Sequence, residues 1–334
     1  VAEFGVTAGS FGQRETVEIF NEEAGQRVVI ATQGATLLQW QNRVSGRRRD
    51  LIDGYATPEE FNAQAGVRSG IMAPFSNRVR YGRYEFGGRQ HQLAPAAPGE
   101  DLVFHGFLRM IDLAVVDAST TAGGATVVLE TKAIRPGAFD GYPFAIDVQV
   151  VFDVGPLGIG LHITAENVGD ETAPWACGWH PYFRLSSAGI EDLELQVPAR
   201  TVVRTDAGLL PLDGSAAWAQ LDELPELDHR TPRPIRGREL DTAYAGLLVG
   251  VDRLSRTTVT NPADGAALNV WQQRGLMHAY TGEGLQRARR KSIALEPIEM
   301  MTNAFNRPEA AAEVSLPPGA SRSFKCGVDL IDAR

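Results

Sequence analysis

Cysteine is nearly missing from this chain of 334 residues, which carries only Cys177 and Cys326. Two thiols cannot staple a disulfide framework, and neither stands in the Cys/His spacing of a metal site, so reduced thiols in a reducing compartment are expected. No apolar run approaches the roughly 18 residues a spanning helix needs, and the N-terminus shows no basic segment followed by an apolar run. The expectation is a cytoplasmic protein with no membrane partner, although a chain beginning at Val1 leaves a removed targeting segment open.

Positive charge is also in short supply. Lys and Arg number 32 against 41 Asp and Glu, giving a net charge of −9 and a pI near 5.3. Neutralising a phosphate backbone takes clustered cations, so no nucleic-acid partner is expected. The basic runs at Arg47 to Arg49 and Arg287 to Lys291 have acidic neighbours and read as solvated surface. No Pro/Ser-rich linker, fixed-period repeat or low-complexity stretch divides the chain. With 43% hydrophobic residues it can bury a large core, so one domain over 1–334 is expected, as a monomer or homodimer.

Helix signals are scarce. The best is "TPEEFNAQAG", where Thr57 would cap, Pro58 suits the first helical position and Glu60 completes a capping box, all within about two turns. What fills the sequence instead is period two. In "LGIGLHITAEN", Leu157, Ile159, Leu161 and Ile163 share one face, and "DLELQV" repeats the pattern with Leu193, Leu195 and Val197. Similar runs recur at Val17 to Phe20, Val28 to Ala31, Thr126 to Glu130, Asp147 to Phe152, Thr257 to Thr260 and Ala267 to Trp271. Gly123-Gly124, Gly155-Pro156 and Asp264-Gly265 separate strands, the last reading as a tight hairpin. An all-β antiparallel sandwich follows.

Reactive side chains gather beside turn formers or aromatics in "PFSNRVRYG" (Asn77, Arg78), "FHGFLR" (His105), "ELDTAYAGL" (Asp241), "GWHPYFRL" (His180) and "IALEPIEMMTNAFN" (Glu296). Each alone has a structural reading: a surface ion pair for Arg78, a loop position for His105, a turn cap for Asp241, a space-filling ring for His180, a strand-end carboxylate for Glu296. Alternation in "SIALEP" turns Ile293 and Leu295 one way and Ala294 and Glu296 the other, with Pro297 ending the ladder. Trp179, Tyr182 and Phe183 read equally as a stacking surface for a sugar or as core.

Taken in order, these segments, with "IATQGATLLQWQ" before them and "LPPGASRSFKCGVDL" after them, resemble the aldose 1-epimerase (galactose mutarotase) family over essentially the whole chain. The resemblance implies a galactose mutarotase-like supersandwich whose concave face holds a sugar. It implies His180 as general acid, Glu296 as general base, His105 as a second histidine near the ring oxygen, and Arg78, Asp241 and the adjoining Asn77 as sugar-binding groups. Neither cofactor nor metal is implied. A carboxylate and a histidine can carry the two proton transfers of ring opening.

The chain departs from the family's pattern at Phe107, which takes a usual glycine position, at Ile298, where glutamine is often found, and at Thr302 to Asn306. These changes bear on which sugar is bound. Arg109, four residues after His105, is similar to the hexose-6-phosphate 1-epimerase branch, in which arginines hold phosphate, and Arg80, Arg83 and Arg109 would form that cluster. A free aldohexose is the preferred substrate; a 6-phosphate, or a noncatalytic carbohydrate-binding sandwich, are the alternatives. Glu299 is the competing base.

Overall fold

Buried and half-buried residues alternate along three long neighbouring strands, Gly124–Ile134, Ile146–Gly155 and Gly158–Asn167, and this alternation builds the molecule. The computed structural model describes residues 3–97 and 99–332. Among them are nine-, eight- and five-stranded sheets, with every ladder between strands antiparallel. Helix is confined to short turns. The longest, Pro58–Asn62, begins as the sequence predicts, with Thr57 Oγ1 accepting from the Glu60 amide; Glu60 reaches back to the Ala56 amide rather than to that of Thr57.

The two large sheets face each other across a common core. Phe152, Leu161, Val270 and Val328 come from the nine-stranded sheet and Met277, Ala279, Ile293 and Leu295 from the eight-stranded one, all at most 1% exposed. Burying such a side chain contributes about 1.5–3 kcal/mol. No helix of the described residues is long and apolar enough to cross a membrane.

Three local expectations differ from the structure. Leu157 is 44% exposed because it occupies the turn between Gly155 and Gly158 rather than the strand that follows. Asp264-Gly265 is part of a longer loop between Thr260 and Ala267, in which Asn261 accepts from the Ala263 amide through its side chain and from the Gly265 amide through its carbonyl. The basic residues Arg287 and Arg290 are partly buried in ion pairs with Asp53 and Glu60 and with Glu191 and Glu283, not free on the surface.

A fourth difference positions the site. Pro297 does not end its ladder: the strand Ile293–Ile298 runs through it, with Met277 opposite Pro297 and Leu276 opposite Ile298. On its other side this strand meets Gly178–Trp179 and Tyr182–Phe183, with the kink His180-Pro181 between them. The amides of Leu295 and Glu299 donate towards this segment, to Pro181 and Cys177. The missing N–H of Pro297 falls where the neighbouring chain turns away, so the proline leaves no ladder bond unmade.

Candidate active site

Three neighbouring strands of the eight-stranded sheet present polar groups on the face away from the core. Within Leu276–Tyr280, Met277 and Ala279 enter the core while His278 and Tyr280 take the opposite face. His278 lies directly across from Glu296, and Asp241 across from Tyr280, so Asp241, His278 and Glu296 share one face. The kink brings His180 over them. Its Nε2 lies 3.3 Å from Glu296 Oε1, with both side chains nearly fully buried.

The backbone holds His180 from the other side: its amide donates to Gly70 and its carbonyl accepts from the Ser69 amide. Its ring stacks on Tyr182 at 5.0 Å and meets His105 edge-on at 5.0 Å. Tyr182 is backed by the Arg68 guanidinium, which the buried Asp53 fixes at 2.7 Å. Trp179 and Phe183 point into the core, so of the three aromatics beside His180 only Tyr182 lines the cavity.

Asn77 and His105 both adopt left-handed backbone conformations, at φ of 54° and 57°. Their segments are bridged: the His105 amide donates to the Asn77 carbonyl at 2.8 Å, and the Asn77 amide donates to His105 Nδ1 at 3.3 Å. An acceptor at Nδ1 places the proton of the neutral ring on Nε2. Burial first, and then the charge of His180, keep His105 well below the usual histidine range, so it is a neutral N–H donor. Arg78 donates to the Asn77 side chain at 2.8 Å and stays half-exposed at the rim.

All six residues picked from the sequence, Asn77, Arg78, His105, His180, Asp241 and Glu296, line one cavity of about 210 Å³. Sequence reasoning missed His278 and Tyr280, which line it as well. The signal was present in "LMHAY", where period two sets a histidine and a tyrosine opposite methionine and alanine. Two other candidates lie elsewhere. Glu299 is buried beyond the strand end, where its carboxylate takes the Arg274 guanidinium at 2.6 Å and the Cys177 amide at 3.3 Å. Arg80, Arg83 and Arg109 face separate partners: Asp206 at 3.7 Å, Gln92 at 2.9 Å, and both oxygens of Glu100 at 2.7 Å, the last from a fully buried side chain.

Electrostatics divide the roles. Burial raises Glu296 to about 8, with Asp241 adding to the rise and His278 and Arg78 opposing it. Burial and the charge of His278 push His180 down to about 3. Burial disfavours His278 as a cation, but Glu296 and Asp241 outweigh it and raise the ring above its ordinary value. Between those limits the His180–Glu296 pair carries a single proton. Among the described residues His180 Nδ1 has no partner, so the scaffold does not fix its tautomer. Burial favours the neutral arrangement with the proton on Glu296, one transfer across 3.3 Å from the ion pair. No group of three or more His, Cys, Asp or Glu with metal-binding geometry occurs among the described residues.

Comparison with known proteins agrees with this architecture. The model of the aldose 1-epimerase family matches residues 15–329. Two Escherichia coli K12 relatives are similar, the uncharacterized proteins YihR, 26% identical over 71% of each chain, and YphB, 25% identical over 81% of this chain and 89% of its own. Among solved structures, galactose 1-epimerase from Lactobacillus acidophilus superposes with a TM-score of 0.80 at 19% identity over the whole of both chains. A GalM/aldose epimerase homologue from C. elegans gives 0.78 at 17%, over 99% of this chain and all of its own. These likenesses show the galactose mutarotase-like sandwich, and the family match over nearly the full length makes this chain a member of the aldose 1-epimerase family.

Proposed function

We propose that the protein interconverts the α- and β-anomers of a free aldohexose, with His180 and Glu296 carrying the protons. The supporting observation is the buried pair itself, two titratable groups 3.3 Å apart, with burial raising the glutamate and lowering the histidine. Anomer exchange needs one acceptor and one donor. The base takes the proton of the C1 hydroxyl, the C1–ring-oxygen bond breaks with its electrons going to the ring oxygen, and the acid protonates that oxygen. The open aldehyde rotates about C1–C2, and the reverse transfers close the ring on the other face. A pair sharing one proton supplies donor and acceptor in either tautomer and is restored at the end of each cycle.

The remaining groups suit substrate binding. His105 offers an Nε2–H donor, Arg78 a forked donor and Asp241 an acceptor. The dispersal of Arg80, Arg83 and Arg109 among separate partners favours a neutral sugar over a 6-phosphate. A purely sugar-binding protein would not need an acid and a base facing each other. NMR anomer-exchange measurements over free and 6-phosphorylated aldoses test the reading: faster exchange of a free aldose than in buffer supports it, and exchange confined to a phosphorylated sugar selects the alternative.

A further inference from the structure

The two basic runs of the sequence, Arg47 to Arg49 and Arg287 to Lys291, come together at a surface groove of about 680 Å³. Arg184 joins them from the segment that follows Tyr182–Phe183. That volume lies within the range of small-ligand clefts, roughly 300–1,000 Å³. The groove and the cavity of His180 and Glu296 have no lining residue in common. We propose that this groove binds a small molecule carrying at least two phosphoryl charges, at a site separate from the smaller cavity. The proposal stands whether or not the smaller cavity exchanges anomers.

The protein does not neutralise these cations itself. The lining includes four arginines and Lys291 against two carboxylates, Asp50 and Asp264, and both carboxylates are engaged. Asp264 takes the Arg49 guanidinium at 2.5 Å. Asp50 accepts from the Gln39 side chain at 2.9 Å and from the amides of Trp40 and Ile52 at 3.3 Å. Among the described residues Arg47, Arg48, Arg184 and Lys291 have no carboxylate partner. Surface arginines elsewhere do find one: Arg89 meets Glu171, and Arg236 meets Asp192. Cations left side by side repel one another, and a bound anion removes that repulsion.

Geometry selects the class of anion. Arg47 and Arg49 take the same side of the strand Arg47–Asp50. Arg49 is held by Asp264 and by the Leu185 carbonyl at 3.4 Å, and Lys291 by the Ala188 carbonyl at 2.9 Å, so two of the cations are fixed before a ligand arrives. Arg47 and Arg184 keep their guanidinium forks free, and a fork matches the paired oxygens of a phosphoryl group. Ser186 and Ser187 add hydroxyl groups to the same wall. The ligand is small because the protein as a whole has a net charge of −9, which repels an extended polyanion beyond the groove.

Isothermal titration calorimetry of the full chain with pyrophosphate, fructose 1,6-bisphosphate and ATP, at low salt and again with added NaCl, tests the proposal. The expected result is saturable one-to-one binding of at least one probe, weakened by salt. That binding should fall roughly tenfold or more when Arg47→Gln and Arg184→Gln are combined. The probe bound most tightly tells inorganic, sugar-borne and nucleotide phosphate apart. Lys291→Gln, at an exposed position, is the second variant should the double variant fold poorly. No saturable binding of any probe at low salt would overturn the site. Binding untouched by the groove variants but lost in Arg78→Gln would place the anion in the smaller cavity and overturn it equally. Tighter binding of a single-stranded oligonucleotide than of every small probe would replace the site with a nucleic-acid surface.

Discussion

His278 donates through Nε2 to Oδ1 of Asp241 across 2.7 Å, and its strand position lies directly opposite Glu296. The ring therefore joins Asp241 to Glu296, and its positive charge opposes the rise of Glu296. In His278→Gln the amide keeps a hydrogen bond to Asp241 but loses the charge. Glu296 should then hold its proton to higher pH, moving the alkaline limb of the kcat/KM profile upward. A profile whose limb stays in place would show that His278 does not act on Glu296.

The pH profile of the wild type should be bell-shaped. With His180 lowered to about 3 and Glu296 raised to about 8, the one-proton state of the pair spans the interval between. Below it both groups are protonated and the base is lost; above it neither holds a proton and the acid is lost. Measured kcat/KM should fall on the alkaline side near pH 8 and stay high through mildly acidic pH. Activity still rising well above pH 8 would contradict the pairing.

Glu296 should also weaken the fold as pH rises. Its folded value lies above the ordinary 4.5, so the folded state holds the proton more tightly than the unfolded chain, and stability is lost between that value and about 8. Each pH unit in that interval costs at most about 1.4 kcal/mol. Glu296→Gln removes the loss, so thermal scans should find the variant little changed at pH 4.5 and more stable than wild type at pH 8. Equal melting temperatures at both pH values would count against the buried carboxylate being under such pressure.

Glu299→Gln separates the two glutamates. Glu299 lies outside the cavity and holds Arg274 and the Cys177 amide, so the change should leave kcat near wild type. Its side chain is 1% exposed but that of Arg274 is 40% exposed, so screening limits the cost of weakening the pair to about 1–2 kcal/mol. Denaturant unfolding and kinetics on the same preparation distinguish the outcomes; a folded variant without activity would move the base to Glu299.

The sheet architecture was legible because alternation is a local property. Ile293, Leu295 and Glu296 take the sides that "SIALEP" assigns, and all six residues chosen for the site line one cavity. What could not be read was long-range. His278 becomes a site residue through its register with Glu296 and its contact with Asp241, neither of which its own neighbours encode. Pro297 reads locally as a ladder end, yet the kink at His180-Pro181 in a distant segment lets the strand pass through it. The protonation of the His180–Glu296 pair depends on burial from every side, which residue types alone do not reveal. Arg80, Arg83 and Arg109, the cluster that the resemblance to the hexose-6-phosphate 1-epimerase branch implies, each meet a separate tertiary partner that their places in the sequence do not encode.

The central claim is that His180 and Glu296 together move the protons of anomer exchange, and NMR exchange rates on glucose and galactose test it most directly. Wild-type protein, Glu296→Gln, His180→Asn and the double variant should all be folded by circular dichroism before rates are compared. Each single change should lower kcat by roughly 10²- to 10⁴-fold, with a smaller effect on sugar binding. Because both groups serve one ring-opening step, the double variant should lose less than the product of the single losses. Folded single variants that exchange anomers at the wild-type rate would contradict the account.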